Sequence, residues 1–146
     1  MKESVRSMFL TLAVIVCGMT VFTSCEKDEA ALIIGTWEVV DGSTTVVIGD
    51  VNVTSPLLEE GDSNVITFNE DGTWSATEVS KMHGTEKSNG TYLLIDDQLT
   101  FIENGLQSVM HVDELTKKSM TLSHSVSGEE DGVNYSGSVV MKLKKK

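Results

Sequence analysis

Three histidines, His83, His111 and His124, are the side chains in this sequence best suited to hold a metal ion or to move a proton near neutral pH. They fall in separate segments, without the compact ligand spacing that a zinc site uses. The turns at Asp71-Gly72 and Asp131-Gly132 lack the alternating oxygen ligands of a calcium loop, so both read as hairpin turns. Nucleophilic chemistry is no better served. There is no Gly-x-Ser-x-Gly elbow, and the chain's 2 cysteines, Cys17 and Cys25, both lie near the N-terminus. Asp and Glu number 22 against 11 Lys and Arg, yet no spacing singles out an acid and base pair. The expectation is therefore a non-enzyme with no catalytic residue, no metal site and no cofactor. The formal net charge of -11 opposes contact with phosphate backbones, so nucleic acid is not an expected partner. Lys142, Lys144, Lys145 and Lys146, interrupted by Leu143, read as a solvated strand end.

Cys25 is the residue whose surroundings give it a chemistry. Lys2 and Arg6 precede an apolar run from Met8 to Phe22, which has the layout of a signal peptide over residues 1–24. At about 15 residues the run is shorter than the roughly 20 needed to span a bilayer as a helix. It ends in Phe22-Thr23-Ser24-Cys25, which resembles the lipobox of bacterial lipoproteins, with Phe22 where leucine is common. The resemblance implies cleavage before Cys25, a diacyl group on its thiol and a further chain, such as palmitate, on the new amine. Each buried methylene of such chains adds about 0.8 kcal/mol of membrane affinity.

Residues 25–31 would then be the lipidated cysteine and an acidic tether, with Glu26-Lys27-Asp28-Glu29 expected to be extended and hydrated. This tetrad resembles the export tag of Bacteroidetes-type surface lipoproteins. It implies an outer-membrane protein facing the outside of the cell, a periplasm-facing domain being the alternative. With Cys17 in the signal, the processed chain has no disulfide to form. Its stability must come from a hydrophobic core, which roughly 115 residues can build.

The elements that would position any site are strands. The composition, 40% hydrophobic and 23% charged, fits one globular domain, expected over residues 32–146. Short β-rich runs alternate with turn signals and no helical spacing is sustained. Gly35 to Val40 opens a strand and Thr44 to Ile48 predicts a second. Val51 to Asp62 reads as an edge strand leading into a loop, since Pro56 cannot donate to a ladder. Asn64 to Ser80 predicts a hairpin turning at Asn69-Glu70-Asp71-Gly72, where Gly72 supplies the positive φ. Thr91 to Ile95 and Gln98 to Ile102 pair around Asp96-Asp97, and Gln107 to Leu115 and Ser119 to His124 pair around Thr116-Lys117-Lys118.

The last strand, from Val133 to Leu143, alternates most clearly, after a polar turn over Gly128–Gly132 that is expected to be mobile. About eight strands in meander order predict an all-β, up-and-down, eight-stranded antiparallel barrel, in which closure removes vulnerable edges. A β-sandwich is the alternative.

Gly35-Thr36-Trp37 at the first strand, Phe68-Asn69-Glu70-Asp71-Gly72-Thr73-Trp74 at a hairpin, and Gly90-Thr91-Tyr92 followed by Leu99-Thr100-Phe101 together resemble bacterial lipocalin-like domains. The resemblance covers nearly the whole processed chain, which is shorter than a typical lipocalin and shows no C-terminal helix. It implies that Trp37 packs across the closed end of the barrel. An eight-stranded barrel either fills its interior with side chains or holds one small ligand. If there is a pocket, Trp74, Tyr92, Phe101, Met110, Met120, Tyr135 and Met141 are the residues expected to line it, because rings and thioethers adapt to irregular apolar ligands.

The function implied is a membrane-anchored module that binds a small apolar or amphipathic ligand at the cell envelope. The alternative is a structural or protein-interaction lipoprotein with a filled barrel. It would dock through the loops Thr54–Ser63 and Ser127–Gly132, where Leu57 and Leu58 would stand exposed.

Overall fold

The computed structural model describes residues 29–146; the signal segment, Cys25 and residues 26–28 lie outside the described residues. Residues 29–33 form one helical turn, so Glu29, read as extended tether, is helical. Nine strands follow: β1 (Gly35–Ile48), β2 (Val51–Pro56), β3 (Ser63–Phe68), β4 (Thr73–Ser80), β5 (Gly84–Ile95), β6 (Gln98–Glu103), β7 (Leu106–Leu115), β8 (Ser119–Glu130) and β9 (Val133–Lys145).

From β3 to β9 each strand pairs antiparallel with the next in the chain, and β1 closes the ring by pairing with β3 on one side and β9 on the other. The result is the expected closed eight-stranded meander, with β2 as an extra strand; the sandwich alternative is not formed.

Two local readings are corrected. Thr44 to Ile48 is not a second strand but the continuation of β1, which passes Asp41-Gly42 through a bulge in its pairing with β9 between Val39 and Asp41. Gly42 is there for close approach: a Cβ would lie 2.6 Å from the Val140 carbonyl oxygen and 3.0 Å from Leu57 Cδ2. The polar stretch Gly128–Gly132 is not a mobile loop. β8 runs to Glu130, and only Asp131 (φ 52) and Gly132 (φ 77) turn the chain into β9, as both central positions of a tight type I′ hairpin demand.

A third feature has no counterpart in the alternation of the sequence. β5 begins at Gly84 because residues 84–90 pair fully with β4, although they carry no apolar pattern.

The buried core fills one half of the barrel. Ile33, Trp37, Leu99 and Leu122 are each 0% exposed, and Phe68, Met120 and Leu143 nearly so. Period-2 alternation on five strands, together with Ile33 from the helical turn, brings these side chains inward from six elements, which makes the barrel one packed unit at this level.

Candidate functional site

At the closed end the helical turn lies against Trp37. The indole Nε1–H donates to the Ile33 carbonyl at 2.7 Å, and the Lys145 ammonium stands 5.1 Å from the Trp37 ring while donating to the Leu32 carbonyl at 3.0 Å. A buried indole with its hydrogen bond made and a cation over its face is fixed in place.

Above it, Phe68 meets Tyr92 edge-on at 4.9 Å, and Trp74 meets Phe101 edge-on at 5.2 Å. The Tyr92 hydroxyl donates to the Asn69 carbonyl at 2.9 Å, which ties β5 to the β3–β4 turn. Burial pushes the Tyr92 phenol above its ordinary range, and the Asp71 carboxylate adds to the shift.

The residues singled out for a pocket therefore divide. Met110 and Met120 belong to the buried core, while Met141 and Tyr92 are half-buried against it. Trp74 and Phe101 line a recess of about 340 Å³ beside the β6–β7 hairpin, with Glu103, Leu106 and Ser108. Tyr135, 43% exposed, stands apart on the far wall. Among the described residues two buried polar side-chain atoms have no hydrogen-bond partner, Trp74 Nε1 and Asn64 Oδ1. His111 sits between Asp97 (3.4 Å) and Asp113 (3.6 Å), all three exposed. Among the described residues no group of three or more His, Cys, Asp or Glu is placed to hold a metal ion.

The open end is built by residues that the alternation in the sequence had not marked as a site. β1, β2, β8 and β9 continue beyond the core as a four-stranded sheet. Val53, Val46, Gly137 and Val126 lie directly opposite one another across it, and Val51, Ile48, Tyr135 and Gly128 form the next row. These rows follow in period 2 from Leu143, Met141 and Leu122, so they are the inner face of the barrel carried upward. The reverse face carries Thr45, Asn52, Thr54, Ser125, Ser136 and Ser138.

Nothing among the described residues covers the inner rows: Val46 is 44% exposed, Ile48 56%, Val51 62% and Val126 52%. Two partings in the pairing leave them open. β7 holds β8 only from His111 to Leu115, and β1 meets β3 only from Gly35 to Glu38. The signal that could have found this wall is the pair Val46/Ile48 and Val51/Val53, alternating on either side of Gly49-Asp50. Leu57 and Leu58, expected to be exposed loop residues, are half-buried against the core, because the Leu57 amide bonds to the Gly42 carbonyl at 2.9 Å and draws the loop in.

Comparison with known proteins agrees with this architecture. No curated protein matches the chain. A solved lipocalin-like protein from Bacteroides uniformis matches with a TM-score of 0.52 at 16% identity, over 79% of this chain and 99% of that one. A solved uncharacterized protein from Bacteroides eggerthii matches with a TM-score of 0.49 at 17% identity, over 78% of this chain and 99% of that one. At 16% identity the first of these likenesses is one of fold. The family model for the lipocalin-like domain matches residues 33–122, from the buried Ile33 on the helical turn to the buried Leu122 on β8. The chain belongs to the lipocalin-like domain family.

Proposed function

We propose that this protein is a lipid-anchored binding module of the bacterial outer membrane that takes a small apolar or amphipathic molecule into the open end of its barrel. The observation that carries this reading is the uncovered wall of Val46, Ile48, Val51, Val53 and Val126, which continues the core's inner face without a cover. Covering each of these half-exposed side chains is worth on the order of 1 kcal/mol, so a ligand laid along the wall gains several such contributions without reorganising the barrel. The aromatic recess at Trp74 and Phe101 offers a second apolar surface near the same end.

The anchor rests on Cys25 at the close of an apolar, signal-like run, and the acidic tetrad after it favours display outside the cell. No residue of the open end supplies a nucleophile with its base, so the reading is binding without catalysis.

The test is native mass spectrometry of the protein taken from its own membranes. A stoichiometric small-molecule adduct, lost in Val46→Asp/Ile48→Asp with folding kept, is the expected result; a clean apo mass in the unmodified protein would overturn ligand carriage. Membrane anchoring is tested separately with Cys25→Ser, which should release the protein into the soluble fraction, and full retention in the membrane would refute it.

One observation favours a second reading. β2 is exposed along its whole length and its outer edge pairs with no strand among the described residues, which suits the addition of a partner's strand. Protein capture that fails when Val53 becomes Pro, in a chain carrying no small-molecule adduct, would favour an interaction module.

A further inference from the structure

Eleven glycines lie among the described residues, and the fold accounts for ten of them. Seven hold a positive φ at turns, loops or strand starts. At Gly42, Gly90 and Gly128 a Cβ would collide with atoms of a neighbouring strand. Gly137 is the exception. It lies in the middle of β9, in register with Val126 of β8 on one side and Val46 of β1 on the other. A Cβ there would meet only Val126 Cγ2, at the ordinary contact distance of 3.5 Å. A glycine inside a strand weakens it, and it marks a bulge, a bend or the close approach of something else. A bulge would break the register, and a bend that demanded glycine would show a positive φ or a crowded Cα. Gly137 has none of these.

The missing side chain leaves a gap in the inner face of the apolar wall. Val46 and Val126 border it across the sheet, and Tyr135 and Val139 border it along β9. The Tyr135 ring lies against Gly128, its cross-strand partner, where it would clash with a Cβ, so it leans over β8 and leaves the space above Gly137 free. The next inward positions are His124 and Thr44, either side of Val139, while Glu130 stands opposite Val133, two rows above Gly137. All four side chains at the border are therefore apolar or aromatic.

The strand lattice sets the size of the gap. A spacing of about 4.8 Å between strands and a rise of about 3.4 Å per residue put the two valine Cβ atoms about 10 Å apart, and those of Tyr135 and Val139 about 14 Å apart. Methyl contacts at about 3.5–4.0 Å from each valine leave room for a single layer of atoms. Along β9 the same contacts leave about the width of a six-membered ring, too short for an extended alkyl chain.

We infer that Gly137 sets the specificity of the open end, and that the ligand carries an uncharged six-membered ring, saturated or aromatic, standing on edge between Val46 and Val126. This rests on the open-end binding proposed above and narrows the ligand to a cyclic one. The Tyr135 ring closes the upper border of the gap and meets the inserted ring there.

The test titrates the full chain with cyclohexanol and with hexan-1-ol, followed by NMR of the Val46 and Val126 methyl groups. The two alcohols have the same number of carbons. A featureless apolar wall favours hexan-1-ol, which has the larger apolar surface, whereas the gap should reverse the order and bind cyclohexanol about threefold tighter. Gly137→Ala should weaken cyclohexanol about threefold and Gly137→Val about tenfold, with hexan-1-ol changed less than about twofold and the melting temperature of the alanine variant equal or higher. Preference for hexan-1-ol in the unmodified chain, or cyclohexanol binding that survives both substitutions, overturns the inference and leaves the apolar mouth standing. A clear fall in melting temperature for Gly137→Ala also overturns it, because the fold would then require the glycine. If neither alcohol shifts the valine methyls of the unmodified chain, the open-end reading itself fails.

Discussion

Trp37 and Ile48 lie on the same strand and both face the barrel interior, yet Trp37 is 0% exposed and Ile48 is 56% exposed. At the Trp37 end, β1 is flanked by β3 and β9, and the helical turn closes the bottom. At the Ile48 end its neighbours are β9 and the edge strand β2, and no element lies over the face. One inward stripe thus serves two purposes. Packing at the closed end supplies the cohesion of a barrel whose described residues contain no cysteine, and the open end keeps apolar surface that stability does not use.

The largest effect expected from breaking this contrast is at Trp37. Trp37→Ala should cost about 3–5 kcal/mol in urea unfolding, since it leaves a cavity under the helical turn and strands the Ile33 carbonyl. A loss below about 1 kcal/mol would show that the closed end is not the anchor. Gly90→Ala comes next, at about 1–3 kcal/mol, because a Cβ there would overlap the Ile102 carbonyl oxygen on the neighbouring strand beneath Trp74. An unchanged melting temperature would mean that β5 and β6 part easily at the recess.

At the open end the same experiment should read almost nothing. Val46→Ser and Ile48→Ser are each expected to stay within about 0.5 kcal/mol of the unmodified protein while lowering uptake of an apolar dye. A cost approaching that of Trp37→Ala would mean that this wall is covered in solution.

The smallest effect concerns the β3–β4 turn. The Thr73 hydroxyl, donating to Asp71 at 2.6 Å, and then the Thr73 amide at 3.0 Å, hold the Asp71 carboxyl below the usual carboxylate range. Because the folded value is depressed, this contribution is present above the unfolded value of about 3.9 and is lost as pH falls through the folded one. Thr73→Val should move the Asp71 titration, followed by NMR, back toward that ordinary value; an unmoved titration would refute the hydroxyl as the cause.

How much was legible depended on whether the signal was local. The β3–β4, β5–β6 and β7–β8 hairpins and the alternation of β9 stand in the sequence because period-2 burial and turn chemistry each act within a few residues. Trp37 could be singled out because Gly35-Thr36-Trp37 resembles the opening motif of lipocalin-like domains. The split of the seven proposed lining residues was not legible. Alternation says that Met110, Met120 and Tyr135 face inward, but not that the first two meet the core and the third meets an uncovered opening. The polar start of β5 was equally hidden, since only its pairing with β4 makes it a strand.

The sequence by itself determined an all-β meander, the inward face of nearly every strand, and a cysteine at the end of a signal-like segment, all of which follow from composition and spacing along the chain. The tertiary structure alone decided which stretches of that inward face are buried. Exposure at Val46 or Val126 depends on the strand or gap that lies across the barrel, and that is set by where β7 parts from β8 and where β1 exchanges β3 for β2. These are pairings between residues far apart in sequence, and a pattern that repeats every two residues carries no record of them.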